Sequence, residues 1–416
     1  VKRTADVVVI GAGIAGVSTA FHLSVEHGID DVVVVDPRPP LSLTSDKSTE
    51  CYRNYWPNAP MVGLMNRSIE IFERLAEQTD FGLNRNGYLF VTGEPETLDR
   101  MAEQSARVAV LGADAEVLGA HRLLAEYPFL TDEAVGGLLV PRAGWFRAQD
   151  LGQWMLDRAR DAGVVLRAAT VTDIAGTDVS LSDGSEISAG SVVIAAGPLS
   201  VPVGAMAGVE LPLYSELHIK VAFKDHLGVI PRDAPMTIWS DTQTIPWSDE
   251  ERYELEKMGR TDVLGEMPIY CHFRPEGGIG SPYILALWEY HGRVLEPTWP
   301  LPEDPLYPEV VMRGLTTMVP GLAAYADRLP ESYVDGGYYT KTTENRPLIG
   351  PTGSEGIYLM TGMSGFGVMV SAGAADLVAR HITGVELPPY SDAFLLSRYD
   401  DPAYVREVES IASGQL

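Results

Sequence analysis

The sequence predicts two domains of different class: a discontinuous α/β domain on a largely parallel sheet, interrupted by an α+β domain with a mainly antiparallel sheet. Three observations carry this. Residues 7–35 read as strand, helix, strand. Short apolar runs of the same kind return far downstream, at residues 192–195 and 357–359. Between them, residues 211–292 change to longer segments that alternate apolar and polar, as in a sheet with one wet face.

Taken in order, residues 7–10 and 32–35 are β-branched runs of strand type, and residues 16–27 carry Val17, Ala20, Phe21 and Leu23 at helical spacing. Residues 61–78 place Met61, Leu64, Met65, Ile69, Phe72 and Leu75 on one helical face. A further helix over 150–162 has Gly163 as its stop. Strands follow at 164–166, 171–174 and 179–181, with Asp183-Gly184 as a hairpin turn. In the alternating region, 218–223 and 283–288 are strands, and the polar, helix-forming stretch 238–266 interrupts them as a candidate lid. After the strand at 357–359, glycines at 365 and 367 open a helix through residue 382. The α/β domain therefore takes residues 1–80, 145–205 and 335–416, and the inserted domain takes 81–144 and 206–334.

The 416 residues suffice for two or three domain-sized units, and 45% hydrophobic with 21% charged residues is ordinary for a soluble globular protein. A net charge of −26 argues against nucleic acid, which needs basic patches, and against an anionic membrane surface. Two cysteines, Cys51 and Cys271, are too few for a disulfide framework or a zinc site, and no metal is expected. No apolar run approaches the ~20 residues that span a bilayer. No signal peptide is read at the start, so the expected location is cytoplasmic.

Chemistry is concentrated in Gly11-Ala12-Gly13-Ile14-Ala15-Gly16, which follows a strand and opens a helix. A pyrophosphate needs backbone N–H groups and the positive end of a helix dipole, and glycines let the backbone come close. Asp36 ends the next strand, twenty residues after Gly16, where a carboxylate can accept ribose hydroxyls. An acid there suits FAD or NAD and disfavours a 2′-phosphate. The rest of the chain separates these two cofactors: Val192-Val193-Ile194-Ala195-Ala196-Gly197-Pro198, Arg346-Pro347-Leu348-Ile349-Gly350 and Thr361-Gly362-Met363-Ser364-Gly365-Phe366-Gly367 come in the order expected of an FAD-binding Rossmann-like domain.

With these pieces in place, the sequence resembles the D-amino-acid oxidase/sarcosine oxidase family of FAD-dependent oxidoreductases. The resemblance covers the N-terminal fingerprint and residues 44–53, 144–171, 192–198 and 339–384. It implies an FAD-binding domain beside a substrate domain, and oxidation of the C–N bond of a small amine or an N-alkyl or D-amino acid. Hydride goes to flavin N5, and the resulting imine hydrolyses. The cofactor contacts it implies are Gly11, Gly13, Ile14, Ala15, Gly16, Asp36, Pro37, Arg38, Thr44, Ser45, Val171, Ala196, Gly197, Gly365, Phe366, Gly367, Val368 and Met369.

The chain departs from the family pattern at four places. Gly337 or Tyr338 stands where some members tether the flavin through cysteine, and residues 43–48 lack the histidine others use, so FAD is expected to be non-covalent. Residues 285–290 hold no lysine to assist O₂, and Met369 replaces a lysine that holds a substrate carboxylate. The acceptor is then O₂ or another oxidant, and an amine without a carboxylate stays in play. Self-association into a homo-oligomer also stays open.

Five polar residues are candidates for catalysis. Lys47 and Arg53 lie in the segment expected near the flavin, and each reads equally as a structural or solvated cation. Tyr270, His272 and Arg274 alternate along a strand and share a face, which is either the active-site floor or the wet side of the sheet. Glu289 and His291 read as surface residues. Residues 239–247 and Tyr338-Tyr339 supply aromatics either for an amine cage or for the core. Two rival readings are an aromatic-ring hydroxylase, whose G-D-A motif is replaced here by Gly362-Met363-Ser364, and a non-catalytic FAD-binding subunit of a larger oxidase.

Overall fold

The computed structural model describes residues 2–278, 280–290, 292, 294–325 and 328–410. His291 lies outside them.

The first sheet is the parallel one. Strand Lys2–Ile10 is its centre, with Val32–Val35 on one side and Glu186–Ile194 on the other, both parallel to it. Val165–Arg167 and Ile357–Thr361 extend it in parallel on the two flanks, and Leu348–Pro351 closes one edge antiparallel. Its central residues are β-branched and buried on both faces, as a sheet covered on both sides requires. The hairpin at Asp183-Gly184 forms, joining Asp178–Leu181 to Glu186–Ile194.

Helix Ile14–Phe21 packs on this sheet and widens into a π turn, His22–Glu26, so the helix expected over 16–27 is regular only in its first half. Gly11 and Gly16 make the junction possible. A Cβ on Gly16 would sit 1.8 Å from the Gly11 carbonyl oxygen, and one on Gly11 would sit 2.4 Å from that of Ala195. Helix Ala59–Ala76 starts earlier than periodicity suggested. The Asn58 side chain accepts from Met61 N (3.1 Å) and Pro60 occupies the first turn, a capping signal outside the apolar stripe. Gly367–Thr383 packs against helices Ile14–Phe21 and Ala59–Ala76 and the strands at one edge of the same sheet, and ends at left-handed Gly384.

The second sheet has eight strands in the order Ser332–Lys341, Tyr214–Lys224, Tyr283–Leu287, Cys271–Glu276, Met236–Trp239, Tyr88–Thr92, Gly136–Val140, Glu116–Gly119. All pairs are antiparallel except Met236–Trp239 with Tyr88–Thr92. Ser332–Lys341 pairs along its length with Tyr214–Lys224, so it crosses the boundary drawn at residue 335. It carries Tyr339 and Thr340 from the second sheet to the first domain. Residues 238–266, read as a lid, hold helix Asp249–Lys257 with a Ser248 capping box. That segment is tied down: Trp247 Nε1 donates to Val263 O at 2.8 Å, and Arg313, on helix Tyr307–Met318, lies over the Trp247 ring and pairs with Glu251. No described helix is long and apolar enough to cross a membrane.

Candidate active site

The end of the first strand and the turn after it form one wall of a cleft. Gly11, Gly13, Ile14 and Ala15 line it beside Asp36, Arg38, Thr44 and Ser45. Asp36 accepts from Ala12 N (2.9 Å) and Arg38 N (2.8 Å), so its carboxylate braces the glycine turn while facing the cleft. Ser45 Oγ accepts from Ile14 N at 2.9 Å and pins the 44–47 turn to the helix start. The opposite wall is Ala196, Gly197, Tyr338, Tyr339, Thr340, Gly362, Ser364, Gly365, Gly367 and Val368.

The residues present fit FAD. The tight turn that Gly11 and Gly16 permit lines the cleft where a pyrophosphate would lie, and a carboxylate stands where a ribose would lie. On the other wall, Thr340 Oγ1 and Ser364 Oγ are buried without a hydrogen-bond partner. Buried hydroxyls are costly to leave unpaired, and a flavin ring offers partners of both kinds. Helix Gly367–Thr383 begins at the same wall, where its dipole favours negative charge.

A second cavity of about 290 Å³ adjoins the cleft, and Tyr339 and Gly365 line both. Its walls are apolar at Trp56, Ile238, Leu287, Phe366 and Met369, and polar at Arg53, Tyr270, His272 and Glu289. Strand Cys51–Arg53 pairs with Ala143–Trp145 and delivers Arg53 to this cavity. Arg53 is 6% exposed, and no acidic side chain pairs with it among the described residues. Its Nε donates to Tyr55 O (3.2 Å), and the rings of Trp56, Tyr88 and Phe90 surround it at 4.7, 5.6 and 5.9 Å. Trp56 Nε1, beside it, is buried and unpartnered.

Tyr270 precedes strand Cys271–Glu276 with a left-handed φ of 72°. Its carbonyl lies 2.7 Å from His272 Nδ1, which fixes the proton on that nitrogen. Burial lowers the His272 pKa, so the cavity meets a neutral imidazole. Arg274 shares the face of His272 but does not reach the cavity. It is spent on Thr49 O (2.9 Å), Glu50 (3.5 Å) and Glu276 (2.7 Å). Lys47 lines neither cavity. Its ammonium lies 2.6 Å from Asp46 and 3.0 Å from Asp335, on the far side of the turn, and those carboxylates raise its pKa against a partial burial that lowers it.

Of the expected cofactor contacts, Phe366 and Met369 line the second cavity rather than the cleft, Gly16 is occupied with packing against Gly11, and Pro37 is not in the lining. Val171 sits in the core on the sheet's other face, with Val8, Ile10 and Val33.

Sequence reasoning missed a buried cluster at the cavity edge. Glu289, read as a surface residue, lines the cavity and meets His218 Nδ1 at 2.9 Å. His218 Nε2 faces Glu216 at 3.2 Å, and Lys341 Nζ donates to Glu216 at 2.8 Å. The imidazole stacks on Tyr339, centroids 3.9 Å apart. Burial alone would lower the His218 pKa, but the two carboxylates outweigh it and raise it. Burial would raise Glu216, yet His218 and Lys341 bring it down to about 2. The period-two pair Glu216, His218 was the available signal, since both side chains share one face of their strand.

A family model described as "FAD dependent oxidoreductase" matches residues 6–381. Among curated proteins, the mitochondrial dimethylglycine dehydrogenase of Rattus norvegicus is 29% identical over 52% of the chain and 26% of its own length. The mouse protein of that name is 25% identical over 94% of the chain and 43% of its own length. Sarcosine oxidase subunit beta of an Arthrobacter is 27% identical over 51% of the chain and 56% of its own length. The chain thus spans about a quarter to a little over half of these relatives. Among solved structures, an L-proline dehydrogenase from P. horikoshii superposes with a TM-score of 0.79 at 21% identity, covering 96% of this chain and 99% of that one. A glycine oxidase from Geobacillus kaustophilus gives 0.77 at 18% identity, covering 95% and 99%.

Proposed function

The chain belongs to the FAD-dependent oxidoreductase family of D-amino-acid oxidase type, and from that premise we propose that it oxidises the C–N bond of a small amine that carries a carboxylate, an amino acid or N-alkyl amino acid. The carrying observation is Arg53: a buried guanidinium without an acidic partner, opening on a cavity that shares Tyr339 and Gly365 with the cofactor cleft. Leaving such a charge unmatched is costly, and a substrate carboxylate is the natural match. Arg53 thereby takes the role left open by Met369. FAD, when bound, would supply the redox chemistry as the acceptor of a hydride, one proton with two electrons, from the carbon next to nitrogen. The chain's residues hold the acid end at Arg53, offer a neutral imidazole at His272, and keep water out with Trp56, Phe366 and Met369. The imine product hydrolyses in water.

FAD is held without a covalent bond in this reading. Cys51 lines the cavity, but burial raises its thiol pKa, and the protonated thiol is a poor nucleophile. One preparation tests both points. Anaerobic mixing with paired amines, with and without a carboxylate, should bleach the flavin spectrum only for the acids at matched concentration, and acid precipitation should leave the flavin in the supernatant. Equal bleaching by amines lacking the carboxylate would sink the assignment of Arg53. Absence of bleaching by every amine would instead favour the non-catalytic subunit.

A further inference from the structure

The cavity has a second charged wall. Glu289 lines it along with Arg53, and nothing in the family reading above employs an acid there. Its carboxylate is held by His218 at 2.9 Å, His218 by Glu216 at 3.2 Å, and Glu216 by Lys341 at 2.8 Å. The chain of contacts runs from the cavity into the second sheet, with His218 and Lys341 almost wholly buried. Charges of alternating sign hold each carboxylate ionised, and Glu289 is the member of the chain that lines the cavity.

We propose that Glu289 forms a subsite for a cationic nitrogen, so that the cavity takes its ligand as a small zwitterion, carboxylate at Arg53 and ammonium at Glu289. This rests on the reading of Arg53 given above and extends it to the other end of the substrate. A neutral amine needs only the apolar walls. A cation among these largely apolar walls is favoured by a carboxylate, and Tyr339, stacked on His218 and lining both cavities, adds a π face.

The cluster also makes the subsite depend on pH in a definite direction. His218 is faced by Glu216 from its own strand, by Glu289 from beyond strand Tyr283–Leu287, and by Tyr339 and Lys341 from strand Ser332–Lys341; neutral His272 lines the same cavity. Loss of the His218 proton makes the surroundings of Glu289 one charge unit more negative. Because the His218 pKa is raised, the change falls above the ordinary histidine value of about 6.5. A cationic ligand should therefore bind more tightly as pH rises through that range, and a neutral one should not.

The test is calorimetric binding to the FAD-loaded protein of two non-oxidisable acetates, one bearing a trimethylammonium group and the other a methylthio group. In wild type the ammonium compound should bind more tightly, with an advantage that grows with pH. Glu289→Gln should weaken it roughly tenfold or more while moving the thioether less than about twofold. His218→Asn, a second variant in case the first folds poorly, should abolish the growth of that advantage with pH. Equal losses for both compounds in Glu289→Gln, or a wild-type preference that is flat with pH and unaffected by the substitution, would overturn the subsite. If the wild type binds neither acetate, the Arg53 reading falls first and the subsite falls with it.

Discussion

The cofactor cleft and the substrate cavity share Tyr339 and Gly365, yet they are built from different materials. The cleft is made mostly of backbone: a glycine turn, helix starts, and one carboxylate that itself braces backbone amides. The cavity is made of side chains brought from strands Cys51–Arg53, Cys271–Glu276 and Ser332–Lys341, from residues around Glu289, and from the start of helix Gly367–Thr383. Backbone recognition suits a ligand whose form does not vary across a family, because it constrains only a short contiguous motif. Side-chain recognition suits the ligand that distinguishes one member from another, and it can be rebuilt one residue at a time.

That division predicts separable effects. The largest is at Arg53. Arg53→Met keeps most of the side-chain volume and removes the charge, so kcat/KM for a carboxylate-bearing substrate should fall about 10²- to 10³-fold. The FAD dissociation constant should stay within about twofold, since Arg53 lines the cavity and not the cleft. Steady-state kinetics alongside fluorescence titration of the apoprotein with FAD would check both. A matching loss of FAD affinity would show that the two regions are one energetic unit and break the contrast.

Asp36→Ala is the converse and smaller. Its carboxylate braces Ala12 N and Arg38 N and faces the ribose position, and each lost bond to a charged acceptor is worth about 1.5–3 kcal/mol. FAD affinity should drop roughly 10- to 100-fold, while the saturated enzyme keeps its substrate preference. An unchanged FAD dissociation constant would remove Asp36 from the ribose site.

The same contrast explains what could be read from the sequence. The glycine turn, Asp36, the parallel strands and helix Gly367–Thr383 are contiguous signals with short-range causes, and each lies where its residues indicated. The cavity depends on pairing between strands far apart in sequence. Period two correctly put His272 and Arg274 on one face, but only the fold shows that Glu50 and Glu276 claim Arg274 while His272 reaches the cavity. Glu289 looked like a surface acid because nothing local reveals its partner His218, on a neighbouring strand some seventy residues earlier. In 81–144 no element was placed, although strand Tyr88–Thr92 and helix Pro95–Ala109 form there; the helix carries Leu98, Met101, Ala102 and Val108 at helical spacing, a short stripe that went unread on an otherwise polar segment.

The smallest expected effect is at Lys47, and it sharpens the boundary between the two regions. Position in the sequence, within the segment expected near the flavin, made Lys47 the available substitute for the missing O₂-assisting lysine. Electrostatic help to O₂ requires a cation facing the place where negative charge develops, with no nearer anion cancelling it. Lys47 meets neither condition: Asp46 and Asp335 hold its ammonium at 2.6 and 3.0 Å, and it lines neither cavity. Leu287, on the strand where such a lysine would stand, offers the cavity only an apolar side chain. Reduced enzyme should therefore reoxidise slowly in air, and Lys47→Met should change that rate by less than about twofold. Stopped-flow mixing of the anaerobically reduced protein with oxygenated buffer measures both. A tenfold slower reaction in the variant would mean that Lys47 leaves its carboxylates and reaches the ring once FAD is bound, making the 44–47 turn part of the reacting site rather than its outer support.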